Sequence, residues 1–234
     1  MLPSAPLDRS RIGVCRIAGF VAGVLGAALL SSAPLLAQQG NRDFYEPDTN
    51  PNERQLRHNV ELYHLEPGIK DMGNARWHVA KGHFEFILNY YPNHPVALNM
   101  LSVLCDVRWI DVRCDSASRF ALAIERNPTI AQTYVLYGIH LQRRKRLDDA
   151  IRAFDKALSI NPKLMNAHYN VALAYVDKRQ YDLANRHAQI SYRLGASLPG
   201  LRDKLKSAGH WRPLPDSELQ DALGPDVADG TERK

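Results

Sequence analysis

The chain has 234 residues, 45% hydrophobic, 24% charged and 8% aromatic, with 14 Gly, 14 Pro and 3 Cys. That is the balance of a globular protein, and it excludes collagenous, mucin-like and disulfide-scaffold classes. Thirty Lys and Arg against 25 Asp and Glu leave a net charge of +5, too small to call for nucleic acid as a partner.

Residues 1–37 read as an export signal. Arg9, Arg11 and Arg16 precede an uncharged run from Ile17 to Leu30, followed by the small residues Ser31, Ser32 and Ala33 and a cleavage position after Ala37. Leu35 is larger than such a position prefers. The competing reading is an uncleaved anchor, because no charge occurs from Ile17 to Ala37 and about 20 apolar residues span a bilayer, although Ser31, Ser32 and Pro34 interrupt the run. Cleavage places the chain in the periplasm or outside the cell. Retention tethers it to a bacterial inner membrane, facing the periplasm, and that is the only membrane contact expected. Without residues 1–37 there remain 27 basic and 24 acidic residues, so electrostatic attraction to DNA or anionic lipid is weaker still.

Residues 38–52 are rich in turn formers and read as a linker. Helical periodicity begins at Glu53–His64 and continues from Arg76 to Tyr91, where Val79, Phe84, Ile87 and Leu88 mark an apolar face. Gly68 and Gly73 lie in the connection, which departs in length from the connections between the later helices. Residues 53–96 therefore read as a degenerate helical repeat or an N-terminal cap.

From residue 97 to 198 the pattern recurs with an offset of 34 residues: Asn127-Pro128 maps to Asn161-Pro162, Phe120 to Phe154, Ala123 to Ala157 and Ala150 to Ala184. The unit 131–164 carries Tyr134, Tyr137, Gly138, Leu141, Ala150, Phe154, Ala157 and Pro162, landmarks that resemble those of the tetratricopeptide repeat, a 34-residue helical hairpin. Gly138 and Ala150 are small where two antiparallel helices must approach. Pro162 cannot continue a helix and ends the unit. In 165–198, Ala188 stands where Phe is usual and Ala196 where Pro is. In 97–130, Leu104 replaces the small residue of the first helix. Residues 199–212, with Leu201 and Leu205, read as a capping helix that covers the apolar end of the stack. Residues 213–234 read as disordered. The expected fold is all-α: a right-handed α-solenoid of three such hairpins with capping helices.

An enzyme is not expected, because none of the nucleophile-elbow, phosphate-loop, dinucleotide or two-histidine zinc motifs occurs. No catalytic residue, cofactor or metal is assigned. Glu61 and His64 form one Glu-x-x-His motif where di-iron bundles need two, with two further Glu, and His78 and His83, five apart, fall on different helical faces. A metal-dependent hydrolase using His58, Glu61 and His64 is the rival from another class. Cys105 and Cys114 flank a turn expected at Trp109–Asp111. In an oxidising compartment they pair as a disulfide; otherwise they are two buried thiols. The run Arg143-Arg144-Lys145-Arg146 is a solvated turn or a contact for an acidic partner. Tyr134, Tyr137, Tyr169 and Tyr175 are expected in the repeat core.

The resemblance implies a concave groove lined by the first helix of each hairpin. It maps to Leu98, Leu101, Cys105, Arg108 and Trp109, then Gln132, Val135, Ile139, Gln142 and Arg143, then Asn166, Tyr169, Asn170, Leu173 and Val176. Only Asn170 matches the Lys, Asn and Arg set with which some family members grip a C-terminal carboxylate. A mostly apolar groove suits an amphipathic helix or extended peptide of another protein, unless residues 53–64 or the tail fill it intramolecularly. The expected function is a non-catalytic interaction module or adaptor of the bacterial cell envelope, or a membrane-tethered scaffold if residues 17–37 stay in place.

Overall fold

The first helical segment is longer than its periodicity suggests. In a computed structural model that describes residues 42–47, 49–106 and 114–223, α1 (Pro51–Val60), a π-helical turn (Glu61–Leu65) and α2 (Glu66–Gly73) succeed one another without leaving helical backbone. The end expected near His64 is passed. Pro67 lacks an N–H and its ring crowds the carbonyl four residues earlier, and the widened turn just before it absorbs both defects. The start is capped by Asn50, whose side chain accepts from the Asn52 N–H.

The remaining helices pair in chain order: α3 (Trp77–Tyr90) folds back on α2, then α4 (Pro95–Cys105) with α5 (Ser116–Arg126), α6 (Ala131–Arg143) with α7 (Leu147–Ile160) and α8 (Met165–Asp177) with α9 (Tyr181–Arg193). A short α10 (Gly200–Ser207) and α11 (Asp216–Leu223) complete the order. Among the described residues there is no strand. All of them belong to one compact unit, 34–234. The proposed export signal at 1–37, the turn with Arg108 and Trp109, and residues 224–234 lie outside the described residues.

One device ends the first helix of three hairpins. Ala75, Lys145 and Arg179 adopt φ of 58°, 60° and 58°, and the next N–H reaches back five residues: Arg76 to Asp71 O (2.8 Å), Arg146 to Leu141 O (3.0 Å) and Gln180 to Tyr175 O (2.9 Å). This closure satisfies carbonyls that a helix end leaves unpaired. Lys145 and Arg179 are 34 residues apart, whereas Ala75 and Lys145 are 70 apart, two repeats plus two residues. The extra two fall between α4 and α5, because the helix-capping positions His94 and Ile130 are 36 apart while Ile130 and Leu164, like Phe120 and Phe154, are 34 apart. His94 caps α4 by accepting from the Ala97 N–H at 3.2 Å.

Carried back by 70, the unit 131–164 lands on 61–94: Gly138 on Gly68, Ala150 on Ala80, Phe154 on Phe84 and Pro162 on Pro92. Packing obeys the same rule in both. A Cβ added to Gly138 would lie 2.4 Å from Phe154 Cε1, and one on Gly68 3.0 Å from Phe84 Cε1. Each glycine thus makes room for a phenyl ring that is wholly buried. Residues 61–94 therefore form a hairpin with the same internal packing, interrupted by the π-helical turn of its first helix. In the last hairpin the corresponding positions are Ala172 and Ala188, both buried. In the second, counted from the helix start, they are Ser102, in place of the expected Leu104, and Phe120, both wholly buried, and α4 and α5 touch along less of their length than α6 and α7.

That looser hairpin is tied covalently. Cys105 and Cys114 are joined, with Cα atoms 5.3 Å apart. They are nine positions apart in sequence, so the chain-entropy model gives about 2–3 kcal/mol of stabilisation. Replacing both by Ser is expected to lower the unfolding free energy by that amount in urea titrations, and dithiothreitol should then have no further effect. A variant with an unchanged midpoint would show that the link contributes nothing to stability.

Both flanking segments differ from expectation. Phe44, in the presumed linker, donates its N–H to Asn93 Oδ1 at 2.9 Å. Its ring lies 4.4 Å from that of His94, with the Arg57 guanidinium 4.9 Å above. In the presumed disordered tail, Leu219 and Leu223 of α11 bury against Ile190 of α9. Asn185 prepares that docking: its side chain donates to Arg212 O (2.9 Å) and accepts from Arg212 N–H (3.2 Å). Two leucines four residues apart find an apolar patch, which composition alone does not reveal. At the end of the stack, Leu201 and Leu205 of α10 are fully buried with Ala172, Ala184 and Ala188.

Candidate functional site

The first helices α2, α4, α6 and α8 form one layer of the stack, and the residues assigned to a groove divide on it by depth. Leu98, Leu101 and Val135 are each 1% exposed. Leu98 and Leu101 share a core with Val60, Phe84 and Leu88, and Val135 shares one with Ala167 and Val171. These three hold the solenoid together and present nothing to a partner. Helical position gives a side chain's direction, but the next hairpin decides whether it is covered. Trp109 lies outside the described residues.

Gln132, Ile139, Gln142, Asn166, Tyr169, Asn170 and Leu173 are partly exposed. Tyr169 and Leu173 lean on the core closed by α10. The surface left on α6 and α8 mixes amides with two aliphatic side chains and is more polar than the greasy groove expected. Asn170 Nδ2 donates to Asn166 O at 2.7 Å. The side-chain oxygen of Asn166, Oδ1, is shielded from solvent and has no hydrogen-bond partner among the described residues. Leaving such an acceptor unmet costs about 1–3 kcal/mol. Among the described residues the tail does not cover this face: α11 packs on α9, a second helix.

A polar clasp joins α4 to α6 beside the disulfide. Arg143 Nε lies 3.2 Å and Arg144 Nε 3.1 Å from the two Asp106 carboxylate oxygens, and Arg143 also donates to Ser102 Oγ. His140, 1% exposed, meets Ser102 Oγ through Nδ1 at 2.7 Å and Arg144 Nη1 through Nε2 at 3.2 Å. Because the guanidinium donates, Nε2 is the acceptor and the Nδ1 proton goes to Ser102. Burial first, then the Arg144 charge, hold His140 down at about 4. Arg146 pairs with Asp149 at 2.7 Å. Three of the four residues in the basic run thus carry ion pairs within the chain.

The tyrosines sit as expected of a repeat core. Tyr134 is 9% exposed, with its hydroxyl donating to Pro128 O at 3.1 Å. Tyr175 stacks on His187, 5.8 Å between centroids. His168 and His187 meet Nδ1 to Nδ1 at 2.9 Å, and His168 Nε2 donates to Pro162 O at 2.9 Å. Burial, then the neighbouring His168, lowers His187 to about 3.

The hydrolase triad does not assemble. Glu61 Oε1 turns to His94 Nε2, 3.2 Å away, His64 turns to His83, and His58 is exposed. Among the described residues no three His, Cys, Asp or Glu side chains converge on one point. Sequence reasoning missed the Ser102–His140 contact and the first hairpin's Gly68. The available signals were a Ser and a His on otherwise apolar helix faces and the 70-residue echo.

Residues 131–164 match the tetratricopeptide repeat model. No curated protein matches the chain. Among solved structures, Pseudomonas aeruginosa PilF is similar over 71% of this chain and 74% of that one, at 16% identity and a TM-score of 0.51. A chain of the Cut9–Hcn1 hetero-tetramer of the APC/C is similar over 63% of this chain and 29% of that one, at 23% identity and a TM-score of 0.48. At these identities the likeness concerns the fold alone. The chain carries a tetratricopeptide repeat at residues 131–164, set in an all-helical stack of hairpins of tetratricopeptide type.

Proposed function

We propose that the protein is a non-catalytic interaction module of the bacterial cell envelope that holds a peptide or helix of another protein across the face of α6 and α8. The observation that carries this reading is the surface left on α6 and α8, where the partly exposed amides Gln132, Gln142, Asn166 and Asn170 have Ile139 and Leu173 between them. Amides serve the donors and acceptors of a peptide, and the aliphatic pair takes its apolar side chains. The tetratricopeptide hairpins support the general role in protein binding. The envelope location rests on the leader at 1–37; among the described residues no helix is long and apolar enough to cross a membrane.

Photo-crosslinking in cells tests the face directly. A photoreactive residue at Gln142 or Ile139 is expected to trap a defined protein adduct, and the same residue at Lys156, on the outer layer, none. Adducts from Lys156 with none from Gln142 would place binding elsewhere. The mass of the chain in a membrane-free envelope extract separates cleavage after Ala37 from an uncut anchor.

A further inference from the structure

We infer that His64 and His83 form a binding site for a single divalent first-row transition-metal ion bridging the two helices of the first hairpin. Their Nδ1 atoms lie 3.1 Å apart. Two imidazole nitrogens at about 2.05 Å from one ion and separated by that distance subtend about 98°, between octahedral and tetrahedral angles. His64 projects from the π-helical turn and is steadied by Phe86, stacked on it with centroids 3.8 Å apart. His83 has a buried carboxylate behind it: Asp71, 5% exposed, places Oδ2 3.6 Å from His83 Nε2 and is also held by Arg76. At that distance Asp71 is a charge neighbour and not a hydrogen-bond acceptor, but its negative charge beside the far nitrogen favours the tautomer with the proton there and leaves the near lone pair free.

Without an ion, the pair shares one hydrogen bond, from His64 Nδ1–H to the His83 Nδ1 lone pair. Metal binding moves the His64 proton to its own Nε2, so both Nδ1 lone pairs face the ion and no proton is lost. Since no third side-chain ligand converges among the described residues, solvent completes the coordination. Imidazole nitrogens suit Zn, Ni and Cu. Repeat packing does not require the pair, because the same positions of the 131–164 hairpin carry Tyr134 and Ala153. His168 and His187 occupy those positions in the last hairpin, but there His168 is 5% exposed and its Nε2 faces a carbonyl. The His83 side chain is 22% exposed, which gives an ion a way in.

Calorimetric titration of Zn(II) into the chelator-stripped protein at about pH 7.5 tests the site. One ion per chain is expected, bound at least about tenfold more weakly by Asp71→Asn and lost in His83→Ala, with His187→Ala unchanged. If His83→Ala alters the helical circular dichroism, His64→Asn takes its place under the same criterion. No saturable heat up to about 1 mM Zn(II), undiminished binding by the His83 and His64 variants, or loss in His187→Ala instead would each overturn the assignment.

Discussion

Lowering the pH from about 7 to about 4.5 is expected to reduce the unfolding free energy by on the order of 5 kcal/mol through His140 and His187 alone. In the unfolded chain both rings take up a proton near their ordinary value of about 6.5. In the fold, His140 does so at about 4 and His187 at about 3. Between those limits the unfolded state binds more protons, so stability falls as the pH falls, by at most about 1.4 kcal/mol per histidine per pH unit. The cause is built into the contacts. Protonating His140 would set an N–H against the donating Arg144, and protonating His187 would put charge beside His168 in a buried pair. Urea titrations at pH 7, 6, 5 and 4.5 measure the slope, and His140→Gln with His187→Gln should flatten it. A double variant whose profile stays parallel to that of the parent would refute the assignment to these two rings.

Much of the stack was legible from residues alone, because a repeat writes its packing rule more than once. Pro128 and Pro162, Phe120 and Phe154, and Ala150 and Ala184 recur at 34 residues, since each hairpin must offer the next one the same surface. The first hairpin escaped that reading for local reasons. Pro67 suggests a break that a π-helical turn absorbs, and the two additional residues between α4 and α5 shift the echo from 68 to 70. The candidate face was legible in direction but not in depth: Leu98, Leu101 and Val135 point along the first helices as expected, yet neighbouring hairpins bury them. His140 owes its role to Ser102 on another helix, which no single-helix pattern encodes. The packing of α11 and of Phe44 has the same origin, a few apolar side chains meeting a surface that exists only once the hairpins are stacked.

The packing rule itself predicts the second large effect. Phe154→Ala is expected to cost about 3–5 kcal/mol, because the ring is fully buried and leaves a cavity. Gly138→Ala alone should improve helix propensity by about 1 kcal/mol, yet it sets a methyl 2.4 Å from Phe154 Cε1, and overpacking of this kind costs about 1–3 kcal/mol. The net result is destabilisation. Combined, the two substitutions recreate the Ala172 and Ala188 pair of the last hairpin, in which two small residues face each other in a packed core. The double variant should therefore be more stable than the sum of the single losses implies, with a coupling of about 1–3 kcal/mol, measured by chemical denaturation of all four proteins. Strict additivity would mean that the phenyl ring and the glycine do not share one space. Gly68 and Phe84 are bound by the same geometry, so their cycle should couple with the same sign. It should couple less strongly, because the nearest approach there is 3.0 Å rather than 2.4 Å.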